Sequence, residues 1–173
     1  EHFLADMEDG RYDGFPEDGM VVQALENESL KQMHGLSGEA SGALVTWVAP
    51  GSPAENRIFP GDILLAVDGH RIAEDGTVEF RPKERTGSDH YVKQHQLGEE
   101  VVYRILHRGE EKDVRLKLDR KTGSAALVSG ARYDVRPSYF VYGGLVFCPV
   151  TYNYLTTWGG DWDEDAPYNL LTY

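Results

Sequence analysis

Ala49-Pro50-Gly51-Ser52-Pro53-Ala54-Glu55-Asn56-Arg57-Ile58-Phe59-Pro60-Gly61-Asp62-Ile63-Leu64-Leu65-Ala66-Val67-Asp68-Gly69-His70-Arg71-Ile72 is the stretch that carries the fold. Pro50-Gly51 ends a strand, because proline lacks an N–H and glycine accepts turn dihedrals. Ser52-Pro53 predicts an N-cap and a first-turn proline, opening a helix of about one to two turns. Pro60-Gly61-Asp62 reads as a turn, and Ile63 to Val67 as a short apolar strand. Asp68-Gly69 is a tight-turn dipeptide leading into a short extended piece at Arg71-Ile72.

Outward from this stretch the same punctuation continues. Gly19 to Leu25 and Ala43 to Val48 read as strands, with a short helix or turn from Ser29 to His34 between them. Glu74-Asp75-Gly76 is a turn, and the polar run Pro82 to Gln96 predicts a helix from about Gly87 to Gln96. Val101 to Arg108 and Lys112 to Leu118 are strands joined at Arg108-Gly109-Glu110; Lys112 to Leu118 alternates most clearly. At the N-terminal end, Phe3, Leu4 and Met7 have helical spacing and Asp9-Gly10 a stop signal. Residues 1–12 thus predict a connector helix from an upstream domain, residues 13–122 one compact domain, and residues 123–173 a second, truncated segment. That last segment holds most of the ten tyrosines together with Trp158 and Trp162. It also echoes the start of the chain. Arg11-Tyr12-Asp13, Pro16 and Gly19-Met20-Val21-Val22 recur in order as Arg132-Tyr133-Asp134, Pro137 and Gly144-Leu145-Val146-Phe147.

Composition excludes several classes. Apolar content is 40% and charged content 27%, as in soluble globular chains. The formal net charge of −12 argues against nucleic acid or an anionic membrane as partner. No apolar run approaches a membrane span. The single cysteine, Cys148, allows neither an intrachain disulfide nor a thiolate metal site, and its apolar neighbours predict a buried, inert thiol. The six histidines form no His-x-x-x-His pair. Asp161-Trp162-Asp163-Glu164-Asp165 has the acidic start of a calcium loop but lacks its glycine and closing glutamate, so it reads as a solvated acidic helix start. There is no glycine-rich phosphate loop, and no cofactor or metal is expected.

The ordered string Gly-Ser-Pro-Ala…Gly-Asp-Ile-Leu-Leu-Ala-Val-Asp-Gly, Gly51 to Gly69, resembles a PDZ domain between its first short helix and its fourth strand. Four further pieces narrow the likeness. These are His2-Phe3-Leu4-Ala5-Asp6, Tyr12-Asp13-Gly14-Phe15-Pro16, Asp75-Gly76-Thr77-Val78-Glu79-Phe80-Arg81 with Glu84-Arg85, and Pro137-Ser138-Tyr139 followed by Gly143-Gly144-Leu145-Val146-Phe147. Together they resemble the PDZ region of HtrA/Deg-type serine proteases, most of all the plant-type Deg branch and its bacterial relatives, over nearly the whole chain. The resemblance implies an α+β, mainly β fold: a partly open β-barrel with two helices, followed by a partial second unit of the same kind. It also implies an upstream protease domain, a homo-oligomeric full-length protein, and polypeptide segments or C-termini as ligands. Bacterial members work in the cell envelope and plant members in organelles, so the envelope is the expectation for a bacterial chain. The Gly-Asn-Ser-Gly-Gly nucleophile motif is absent, and Ser88-Asp89-His90 are too close in sequence to form a triad, so no catalysis is expected from this chain itself. The alternative is a free-standing PDZ adaptor with no protease attached.

PDZ domains bind an extended peptide by strand addition, the terminal carboxylate resting on backbone N–H groups of the loop before the receiving strand. The resemblance carries that loop and strand onto Asp18, Gly19, Met20, Val21 and Val22. On the expected helix Ser88, Tyr91, Val92 and His95 share one side, with Ser88, Tyr91 and His95 as groove candidates. Tyr142, Gly143, Gly144, Leu145 and Val146 are the corresponding loop of the second segment. Asp18 departs from the pattern, which has an apolar residue there. Its charge would repel an incoming carboxylate by ~1 kcal/mol if exposed. An internal peptide, or a groove filled by another segment, is therefore the expected occupant.

Overall fold

The computed structural model describes residues 2–10, 12–36, 41–122, 130, 131, 133 and 136–171. The chain divides into two units, Glu1–Ala125 and Ala126–Tyr173.

Tight turns set the strand pairing of the first unit. Asp68 (φ 46°) with Gly69 (φ 80°), and Arg108 (φ 52°) with Gly109 (φ 84°), place two successive residues in the left-handed region. That geometry matches the twist of antiparallel strands joined by two residues. The first turn joins β3 (Ile63–Val67) to β4 (His70–Arg71), and the second joins β7 (Glu100–His107) to β8 (Glu110–Lys117). With β1 (Met20–Ala24) and β2 (Ala43–Val48) they form an antiparallel sheet ordered β1-β2-β3-β7-β8, with β4 on β3. A separate hairpin pairs β5 (Thr77–Arg81) with β6 (Glu84–Gly87). The helices are short: α1 (His2–Asp6), α2 (Glu28–Met33) and α3 (Asp89–Val92). The fold is mainly β, and its sheets do not close into a barrel.

Alternation along the strands sorts apolar side chains to two sides. Val45, Leu64, Val67, Val101, Tyr103, Ile105 and Leu116 join Ile58, Ile72, Val78 and Val92 in the larger cluster. Leu44 and Ile63, one residue out of phase on the same strands, join Leu25 and Leu36 in a second cluster, with Leu30 of α2 and Leu106 against it. Burying each such side chain is worth about 1.5–3 kcal/mol. Lys31 of α2, only 5% exposed, meets Glu74 at 2.7 Å and Glu28 at 3.0 Å, which compensates its burial and pins α2 to the turn after β4.

Three expectations require correction. The segment after Ser52-Pro53 is a series of turns with no helix. Asn56 at φ 60° breaks the helical path after one turn, and Ser52 Oγ, buried, has no hydrogen-bond partner among the described residues, so it caps nothing. The helix expected over Gly87 to Gln96 is shortened to Asp89–Val92, because pairing with β5 draws Gly87 into β6 and the chain then leaves α3 through three-residue turns ending at His95. The third is Cys148, which is exposed.

The second unit holds a hairpin of β9 (Phe140–Tyr142) and β10 (Leu145–Phe147), then α4 (Tyr152–Leu155), a 3₁₀ turn at Thr156–Trp158, α5 (Trp162–Asp165) and α6 (Tyr168–Leu171). Gly143 (φ 57°) and Gly144 (φ 80°) form the hairpin turn. Thr151 Oγ1 caps α4 by accepting from Tyr154 N–H, and Leu155 and Ala166 are the buried apolar residues. Both hairpin strands are exposed along their length, and Cys148 follows them, which is why it is not covered. In the echo noted above, Arg11, Arg132 and Asp134 lie outside the described residues.

The larger cluster is predicted to carry most of the first unit's stability. Ile105→Ala should cost about 2–5 kcal/mol in urea denaturation, as truncations of fully buried aliphatic side chains do. Val141→Ala, on the exposed hairpin, should change stability by less than about 0.5 kcal/mol.

Candidate functional site

β1 is an end strand of the sheet, paired on one side only, with β2. Its register slips between Val21 and Val22, where Val21 opposes Trp47 and Val22 opposes Val45. Such a bulge increases local twist and re-aims side chains. Val21 is 49% and Val22 37% exposed, an unusual amount of apolar surface for an unpaired edge. Met20, at the head of the strand, packs on the larger cluster, as do Tyr91 and Val92 of α3. Asp18 and Gly19 thus precede β1, which holds Met20, Val21 and Val22; Tyr91 lies in α3 and Ser88 immediately before it.

The loop before β1 is tightly held. Gly19 has φ +79°, and a Cβ there would lie 2.1 Å from Ser52 Cβ. Ala49 N–H donates to Gly19 O at 2.8 Å, and Ala54 N–H to Asp18 O at 3.2 Å. The Asp18 carboxyl turns inward: Tyr103 Oη donates to Oδ2, and Met20 N–H donates to Oδ1 at 3.0 Å. Burial pushes the Asp18 carboxyl above its ordinary value, against the opposing hydrogen bonds from Tyr103 and Met20, and the Asp89 charge on α3 adds to the rise. Burial and the Asp18 charge together push the Tyr103 hydroxyl well above its ordinary value, so it stays a donor.

Two other groove candidates have structural partners. Tyr91 stacks on His70 with ring centres 3.8 Å apart, and its Oη donates to Glu79 O at 3.0 Å. His95 lies between Asp68 (Nε2 to Oδ2, 2.7 Å) and Glu99 (Nδ1 to Oε2, 3.1 Å). Its carbonyl pairs with His2 Nε2 at 2.8 Å, and Gln96 Nε2 donates to His2 O at 3.2 Å. His2 also stacks on Phe15, and Asp6 accepts from the N–H groups of Asp13 and Gly14, each at 3.0 Å. These bonds fasten α1 to the far end of the α3 segment. In the second unit, Tyr142, Gly143, Gly144, Leu145 and Val146 all belong to the β9–β10 hairpin and its turn.

Sequence reasoning missed Tyr103 and Asp68. The signal for Tyr103 was its inward phase in the alternating strand Val101 to Arg108; its pairing with a residue 85 positions away had none. A cleft of about 740 Å³ between Met33–Gly35, Phe59–Asp62 and Leu106–Gly109 lies on the side of the second cluster, away from β1 and α3. An edge strand that receives a peptide is an open shelf, so that cleft has no bearing on it. Among the described residues no group of three or more His, Cys, Asp or Glu is placed to hold a metal ion, and no helix is long and apolar enough to cross a membrane.

The chain belongs to the PDZ-domain family: one PDZ model matches residues 19–118 and a second matches residues 128–173. Its relatives are HtrA/Deg proteases. It is 35% identical over 156 residues to "Protease Do-like 4, mitochondrial" and 33% identical over 151 residues to "Protease Do-like 2, chloroplastic", both of Arabidopsis thaliana. These matches cover 90% and 87% of this chain but 30% and 24% of the relatives, so the chain spans under a third of their length. A solved structure titled "HtrA-type protease AlgW with decapeptide" overlaps 67% of this chain and 32% of its own, at 20% identity and a TM-score of 0.48.

The raised Asp18 value makes a prediction about acid. The folded chain binds a proton at Asp18 more tightly than the unfolded chain, so ionisation there is destabilising. Relative to Asp18→Asn, the native chain should gain stability as pH falls from neutral through the raised value, the gain being complete below the unfolded value of about 3.9. Urea denaturation of both chains across that range measures the difference; a difference that shrinks on acidification contradicts the assignment.

Proposed function

We propose that this chain is the peptide-binding and regulatory PDZ module of an HtrA/Deg-like serine protease. In this reading it captures exposed apolar polypeptide segments by strand addition and positions the protease that precedes it. The single observation that carries the binding role is β1: a strand at the sheet's edge, paired only with β2, with Val21 and Val22 exposed at a bulge. A peptide laid along it would satisfy the free backbone groups and cover the valines at once. The relatives support the attachment to a protease, since each is a protease of which this chain matches a minor part. The positioning role draws on α1, whose His2 is bonded to His95 and Gln96 just beyond the groove helix. Movement of α3 on peptide binding would reach α1 through those bonds, and α1 would pass it to the domain it connects. In this reading the chain supplies binding and no catalytic group.

Calorimetric titration of the chain with an amidated apolar peptide is predicted to show saturable binding. The double change Val21→Asp and Val22→Asp should weaken it at least about tenfold, corresponding to loss of roughly one buried valine contact. Equal affinity in the altered chain would remove β1 as the receiving strand.

A further inference from the structure

The carboxylate-receiving position of the first unit is filled from within. Three N–H groups of the loop before β1, those of Asp18, Gly19 and Met20, are the ones the family likeness assigns to an incoming terminal carboxylate. One of them already points at a carboxylate: Met20 N–H donates to Oδ1 of Asp18 at 3.0 Å. That side chain cannot swing away without a cost, because its other oxygen accepts from the hydroxyl of Tyr103, a residue of the interior strand β7 that is 1% exposed. A buried hydroxyl left without an acceptor is strongly disfavoured. The backbone cannot shift either, because Gly19 is packed against Ser52 and its carbonyl is held by Ala49. Asp89, at the start of α3, places a further negative charge near Asp18, with Lys93 paired to it at 2.5 Å.

We propose that Asp18 is a built-in stand-in for the ligand carboxylate, so that the first unit selects internal polypeptide segments and discriminates against free C-termini. This inference rests on the β1 groove proposed above and specifies its ligand. A peptide would enter as a bare strand, adding main-chain hydrogen bonds along Met20–Ala24, with no terminal charge to place. An internal loop or unfolded stretch of a damaged protein offers that shape; a free terminus brings a carboxylate that meets an amide already occupied and the Asp18 carboxyl beside it.

Two synthetic peptides of one apolar sequence test the proposal, one ending in a free carboxylate and the other amidated. The native chain should bind the amide at least as tightly as the acid. Asp18→Ala combined with Tyr103→Phe removes the carboxylate and the hydroxyl it satisfies, avoiding a buried orphan, and frees the Met20 amide. That variant should prefer the acid by about tenfold, the size of one charge-assisted hydrogen bond set. Tyr103→Phe alone, which leaves Asp18 on the Met20 amide, should keep the native lack of preference and reports any general effect of the core change. Acid preferred by the native chain, or a double variant that binds both peptides alike, overturns the proposal while leaving the groove in place. No binding of either peptide by any of the folded chains removes the groove and the proposal together.

Discussion

The hydroxyl of Tyr103 is the point around which the first unit is organised. The ring lies within the larger apolar cluster, where its volume fills the space between β7, β3 and the loop preceding β1. A phenol buried that far needs an acceptor, and the acceptor is Asp18. The pairing draws the Asp18–Gly19 loop down onto the core, where Gly19 presses on Ser52 and β1 starts in register with the end of β2. An apolar residue in place of Asp18 would pack there too, but would leave the hydroxyl without its partner.

The same bond turns a generic scaffold into a particular one. PDZ units share an edge strand, a glycine loop and a helix, and each is present here. What differs is that the Met20 amide at the end of the loop donates to the chain's own Asp18 carboxyl. Exposed strand edges are normally shielded, because they pair with whatever strand arrives. Here the edge is open and apolar at Val21 and Val22, while Asp18 caps the Met20 N–H at its start. A second set of bonds, Asp68–His95–Glu99 with His2 against the His95 carbonyl, joins the β3–β4 turn, the end of α3 and α1 into one connected group.

Much of the fold was legible in the sequence because its signals are local. Asp68-Gly69 and Arg108-Gly109 mark hairpins because a glycine completes a turn that demands positive φ, and β2 and β3 run over the very residues whose apolar character marks them. The β5–β6 hairpin was not legible. Its Pro82-Lys83 turn relies on Lys83 at φ 67°, and its strands carry mostly polar residues, with Val78 alone fully buried. The helix expected to start at Gly87 shortened for the same reason: strand pairing claimed its first turn. The turns at Ser52–Arg57 show the converse, where good helix-start residues meet a chain too short to continue.

The sequence by itself determined the strands β1, β2, β3, β7 and β8 and the family, since each follows from residues within a few places of one another. It also singled out Asp18 as out of place, by charge alone. Only the tertiary structure decided what that charge does. Repulsion of a ligand was the whole of the local argument. The hydrogen bond from Tyr103, 85 residues further along, exists only once β7 has packed behind the loop. That contact gives a half-buried acidic residue its own partners, because the energy of a carboxylate depends on its surroundings far more than on its neighbours in sequence.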